Sequence, residues 1–127
     1  MYRFESAVDL AEQAAELDPD SAIAHFILAV ALGRYSQFIN ILEALTKGIA
    51  PRVKESLEQC LELEPDHAEA HAALAAWHAE IVDTLGSMLA SLRFGAKRKV
   101  AEEHFDAAIE LCPALPFAYI EKASGLV

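Results

Sequence analysis

Basic residues are scarce in this chain. Ten Lys and Arg stand against twenty Asp and Glu, a formal net charge of −10. Nucleic acid and anionic membrane surfaces attract the opposite sign, so neither is expected as a partner. Long apolar runs are missing too. None reaches the roughly 18 residues needed to cross a bilayer, and no direct membrane insertion is expected. The opening stretch MYRFESAVDLAEQ is amphipathic and acidic, unlike a secretory signal, and the expected compartment is the cytoplasm. Only two cysteines occur, Cys60 and Cys112. Both fall on the apolar side of helical segments and read as reduced core thiols rather than a disulfide. With five Gly and five Pro, the chain has no glycine-rich phosphate loop and no fibrous or disordered bias. No segment alternates apolar and polar residues as a half-buried strand would.

What remains is an alanine-rich, helix-favouring sequence of 127 residues, 54% apolar. That length suits a single domain over 1–127, able to bury roughly two-thirds of its unfolded surface. The sequence also repeats itself. Residues 12–29, EQAAELDPDSAIAHFILA, return 46 residues later as EQCLELEPDHAEAHAALA over 58–75, with eleven of eighteen positions identical. The identities include Pro19/Pro65, Asp20/Asp66, His25/His71 and Leu28/Leu74. A weaker third copy, Glu110, Leu111 and Pro113, comes 48 residues after Glu62, Leu63 and Pro65. A period of this size marks stacked supersecondary units, which form extended surfaces that bind rather than catalyse. The pattern is cut at both ends, so the chain reads as a piece of a longer array.

Apolar spacing predicts six helices. The first, over 4–17, carries Phe4, Ala7, Val8, Ala11, Ala14 and Ala15 on one stripe. Pro19 stops it, and Asp20 or Ser21 caps the next. The second is expected to run unbroken from 22 to 46, with Gly48 as its stop. The third spans 50–63, with Val53, Leu57, Cys60 and Leu61 inward. The fourth runs from 67 to 93 and ends at Phe94-Gly95. The fifth covers 97–111, with Val100, Ala101, Phe105, Ala108 and Ile109 inward. A sixth, short helix runs from Pro116 to Leu126. The expected fold is all-α, a right-handed solenoid of helical hairpins with lengthened first helices.

Ala101, Phe105, Ala108 and Pro113 in AEEHFDAAIELCP stand at the spacing of the second helix of a tetratricopeptide repeat. Ala68, Leu74 and Ala75 resemble its first helix, with His25 and His71 where an aromatic is usual. The usual period is 34 residues; here it is 46 to 48, the excess falling in the first helix of each pair. With His71, Leu74, Trp77, Phe94 and Gly95, that length resembles the divergent tetratricopeptide domain of the regulator of microtubule dynamics family, over about 12–123. The resemblance implies a partner-binding concave face. Tetratricopeptide domains that hold chaperone tails carry Lys and Asn there. The matching positions are Phe26, Val30, Ala72 and Ala76, so that ligand is not expected.

Histidine spacing raises the question of metal. His67 and His71 are four apart and His78 is seven further on, but no third ligand falls at a zinc-site spacing, and the repeat of His25 at His71 argues for packing. Neither metal nor cofactor is expected. Cys60 sits in a small-residue slot shared with Ala14 and Ala108, which speaks against a catalytic thiol. The carboxylates read as solvated helix faces.

Charge is unevenly placed. Seven of the ten basic residues lie at the turns within hairpins: Lys47, Arg52 and Lys54, then Arg93, Lys97, Arg98 and Lys99. Helix-end electrostatics accounts for cations closing a helix, but Lys97-Arg98-Lys99 open one, where positive charge is unfavourable. A basic edge that docks an acidic partner or phosphate groups is the functional reading. Helix 22–46 is apolar almost all round, through Ile23, Phe26, Ile27, Val30 and Leu32, then Phe38, Ile39, Ile41 and Leu42. It is a candidate for self-association, as a homo-oligomer, or for cover by a missing segment.

The expected function is therefore a non-catalytic protein–protein interaction module or scaffold. It would bind a protein through the concave face, at Phe26, Val30, Gln37, Glu69, Ala72, Ala76 and Asp83, or through the basic edge at Lys97, Arg98 and Lys99. The alternative is a ligand-binding accessory protein of a transport system, with an apolar pocket between the long helices.

Overall fold

The structure is a computed structural model and describes residues 2–112. The helix expected over 116–126 lies outside those residues, as do the side chains of Phe4, Phe38 and Ile41. Seven α-helices and no strand occur among the described residues: α1 (Tyr2–Leu17), α2 (Ala22–Ile39), α3 (Ile41–Thr46), α4 (Ile49–Leu63), α5 (Ala68–Leu85), α6 (Ser87–Phe94) and α7 (Arg98–Leu111). The chain is all-α. It divides into two compact units, one up to Pro65 and one from Asp66.

In unit 1, α2 is the central element. It packs on α1 and on α4, and the short α3 touches both α2 and α4. Val8, Leu32, Ala44 and Ile49 form a buried cluster, with Leu28, Tyr35, Ile39 and Val53 against it. In unit 2, α5 packs along α7 and against α6. The α5–α7 contact is built from small residues. Ala79 and Ala101 are buried together with Ala76 and Phe105 beside them, so the backbones approach closely and the phenyl ring fills what alanine leaves. Ala70, Ala72, Leu74, Ala75 and Ile81 on α5 are all at most 1% exposed. Buried residues point around most of this helix, as its continuous apolar sequence requires.

The helix starts obey the expected chemistry. The Ser21 hydroxyl accepts the Ala24 N–H at 3.2 Å, capping α2. Forty-six residues later, His67 Nδ1 accepts the Ala70 N–H at 3.1 Å, capping α5. Gly95, with φ +67°, closes α6: its N–H reaches Ser91 O at 3.0 Å and the Ala96 N–H reaches Ala90 O at 3.1 Å.

The two long helices are the point of correction. Neither 22–46 nor 67–93 is continuous. The first breaks at Asn40, with φ 116° and ψ 160°, and the second at Gly86, with φ 85° and ψ 157°. These residues are 46 apart, so the break belongs to the repeat. This backbone conformation is nearly exclusive to glycine. Asn40 tolerates it by capping the next helix: its Oδ1 accepts the Glu43 N–H at 2.9 Å. Periodicity does not show such a break, because the apolar pattern runs on through Ile41, Leu42, Met88 and Leu89.

Cys60 is fully buried and Cys112 half-buried, both as free thiols. Desolvation, and secondarily the Glu64 carboxylate, push the Cys60 thiol from 9.0 up to about 11. Its folded value is raised, so its contribution to stability is complete below pH 9 and is lost as pH climbs through 11.

The helix break and the buried thiol are each open to experiment. A Cβ added at Gly86 meets no atom within 4 Å, so Gly86→Ala costs backbone strain alone, about 1–3 kcal/mol by urea unfolding. Gly86→Asn costs less than Gly86→Ala, on the Asn40 precedent. In iodoacetamide labelling at pH 8, read by mass spectrometry, Cys112 is modified well before Cys60.

Candidate functional site

The predicted contact residues fall into three groups. Gln37, Glu69 and Asp83 are exposed or nearly so; Phe26, Val30 and Ala76 are half-buried. Ala72 is fully buried, which removes it from any contact surface. The reason is the small-residue packing of α5, which encloses Ala70, Ala72, Ala75 and Ala79 alike. Asp83 is engaged within its own unit, its Oδ1 accepting from Arg98 Nη2 at 2.5 Å. Ile23, Ile27 and Leu42, the residues of 22–46 on which self-association would rest, are exposed, while Leu32 is at 1%.

The basic turns differ between the units. In unit 1 each cation of the turn has an acid partner: Lys47 with Glu43 at 3.3 Å, Lys54 with Glu58 at 3.6 Å, and Arg52 with Glu12. In unit 2, of Arg93, Lys97, Arg98 and Lys99, only Arg98 forms an ion pair among the described residues. Arg93, Lys97 and Lys99 are exposed there. No acidic residue lies in the first turn of α7 and no side chain caps it, so Lys97 and Lys99 add positive charge to an already positive helix end. The basic edge expected on both repeats is thus electrically open in unit 2 and compensated in unit 1.

The histidines are occupied with structure. His25 is 8% exposed, and its Nε2–H donates to Pro19 O at 2.8 Å, tying α2 to the turn before it. His67 is the α5 cap. His78 is 3% exposed, and its Nδ1 accepts the Lys97 N–H at 3.1 Å, pinning the turn between α6 and α7 onto α5. His71 and His104 meet across α5 and α7, Nδ1 to Nδ1 at 3.0 Å, one donating and the other accepting. Sequence reasoning missed His104. Its signal was available only by aligning α4 with α7, where it takes the place of Ser56. No group of three His, Cys, Asp or Glu among the described residues could hold a metal.

Unit 1 carries a cavity of about 600 Å³ above α2, between α1 and α4. Glu12 and Glu16 line it from α1, and Arg52, Glu55, Ser56 and Gln59 from α4. Apolar Ala15, Pro19 and Leu28 and buried His25 complete its lining. No helix among the described residues is long and apolar enough to cross a membrane.

No curated protein and no solved structure matches the chain. One protein family does. The family described as regulator of microtubule dynamics protein 1-3 matches residues 2–114, nearly all of the sequence. With its all-helical units repeating at 46 residues, the chain belongs to the regulator of microtubule dynamics protein 1-3 family.

Proposed function

We propose that the chain is a non-catalytic interaction module that docks an acidic surface of a protein partner through the basic turn of unit 2. The two units would be successive turns of a right-handed tetratricopeptide-like solenoid, a reading supported by the 46-residue repetition of caps and breaks. Exposed Gln37, Glu69 and Asp83 would add polar contacts on the faces of the long helices. Catalysis is not part of the proposal: the histidines have packing and capping partners, and the Cys60 thiol is held neutral.

The observation that carries the reading is the exposed charge of Arg93, Lys97 and Lys99 around an uncapped helix start. Such an arrangement costs stability in the free protein, because each cation at the helix start opposes the dipole by about 0.3–1 kcal/mol. An acidic partner would relieve that repulsion. Microtubules are the first partner to test, since the family is described by their dynamics.

The double substitution Lys97→Asp and Lys99→Glu separates docking from folding. Asp at the cap position and Glu in the first turn should raise stability, together by about 1–2 kcal/mol. Co-sedimentation with microtubules at low salt should fall sharply in the same variant, and wild-type binding should weaken as salt is added. Wild-type protein that stays in the supernatant, or a variant that pellets as fully as wild type, overturns the proposal.

A further inference from the structure

Matching Glu62 with Glu110 and Leu63 with Leu111 sets α4 against α7 at an offset of 48. In that register Cys60 corresponds to Ala108, Ser56 to His104, and Gln59 to Ala107. The central histidines also correspond, His25 of α2 with His71 of α5. In unit 2 the His104 ring lies against His71, with centroids 5.2 Å apart. In unit 1 the residue at the His104 position is a serine, and the cavity lies there. A hydroxymethyl group stands in place of an imidazole, and the volume a ring would fill is open.

The walls of that opening have a definite chemistry. At one place the Glu12 and Arg52 side chains pair across α1 and α4 and cancel. Glu16 on α1 and Glu55 on α4 also line the cavity, and neither has an ion pair among the described residues. Ser56 is 6% exposed and lines the same space. Among the described residues its hydroxyl has no hydrogen-bond partner, yet no wholly enclosed side-chain polar atom is left unsatisfied, so the oxygen is open to the cavity. Buried Ala15 and half-buried Leu28 supply apolar lining. Two carboxylates, a hydroxyl acceptor and a short apolar lining suit a cationic head on a methylene stem.

We propose that the α1–α4 groove of unit 1 receives a lysine or arginine side chain from a protein partner, held by Glu16 and Glu55 with Ser56 as a further acceptor. This site is separate from the basic turn of unit 2 and of opposite charge, so either can fail without the other.

The test is a titration of the ¹⁵N-labelled full chain, observed by NMR. The probes are acetyl-trilysine amide, spermidine as a free amine, and acetyl-triglutamate amide. Trilysine should give saturable shifts at Glu16, Glu55 and Ser56, while triglutamate gives none. Glu16→Gln with Glu55→Gln, a change on the rim that leaves the core untouched, should weaken trilysine binding about tenfold. Ser56→His, which installs the filled arrangement of unit 2, should abolish it while the remaining spectrum stays native. The proposal is overturned by no saturable shift with trilysine, by equal affinity in the Glu16→Gln/Glu55→Gln variant, or by spermidine binding the same residues as tightly as the peptide.

Discussion

A backbone conformation that only glycine adopts freely sets the plan of both units. At Asn40 and Gly86 the chain leaves the α-helical region, passes through positive φ, and begins a new helix within one residue. Without that break, the axes of α2 and α5 would run on into 41–46 and 87–94. With it, α3 can contact both α2 and α4 in unit 1. The constraint is strict enough to appear twice at the same place in the repeat. It is loose enough that one copy meets it with asparagine, whose side chain offsets part of the strain by capping the helix ahead of it.

Around that constraint, the two units solve the same packing problem with different side chains. Unit 2 brings α5 and α7 together through alanine, with Phe105 and paired imidazoles filling the seam. Unit 1 uses larger aliphatic residues, Leu32, Ile49 and Val53, in one of its clusters, and has a cleft lined in part by carboxylates elsewhere. Charge diverges in the same way. The turn cations of unit 1 are paired with carboxylates, whereas of those in unit 2 only Arg98 is paired among the described residues. A duplicated frame thus presents two unlike surfaces, an acidic cleft in one unit and a basic helix start in the other.

Much of the helix plan was legible in the residues. Proline and serine at 19–21, the stripe through Val53, Leu57 and Cys60, and the Phe94-Gly95 stop all report local chemistry that does not depend on distant packing. The breaks at 40 and 86 were not legible from periodicity, because residues on either side are apolar and a dihedral angle leaves no apolar signature. Aligning the two copies would have exposed them, since Asn and Gly at matched positions share a tolerance for positive φ. The candidate contact set suffered from a related limit. Ala72 was placed by repeat geometry alone, and only packing reveals that alanine there is small because it is enclosed. His104 and the cavity beside Ser56 depend on contacts between helices far apart in sequence, which no single-segment pattern contains.

The caps that open α2 and α5 occupy the same place in the repeat but differ in one chemical respect. Ser21 holds its helix with a hydroxyl, whose two lone pairs turn with the side chain. His67 holds its helix with an imidazole nitrogen, whose single lone pair lies in the plane of the ring. The first joint can therefore be reset by rotating one hydroxyl, while the second is fixed by the plane of a ring, giving two copies of one architectural joint unequal freedom to adjust.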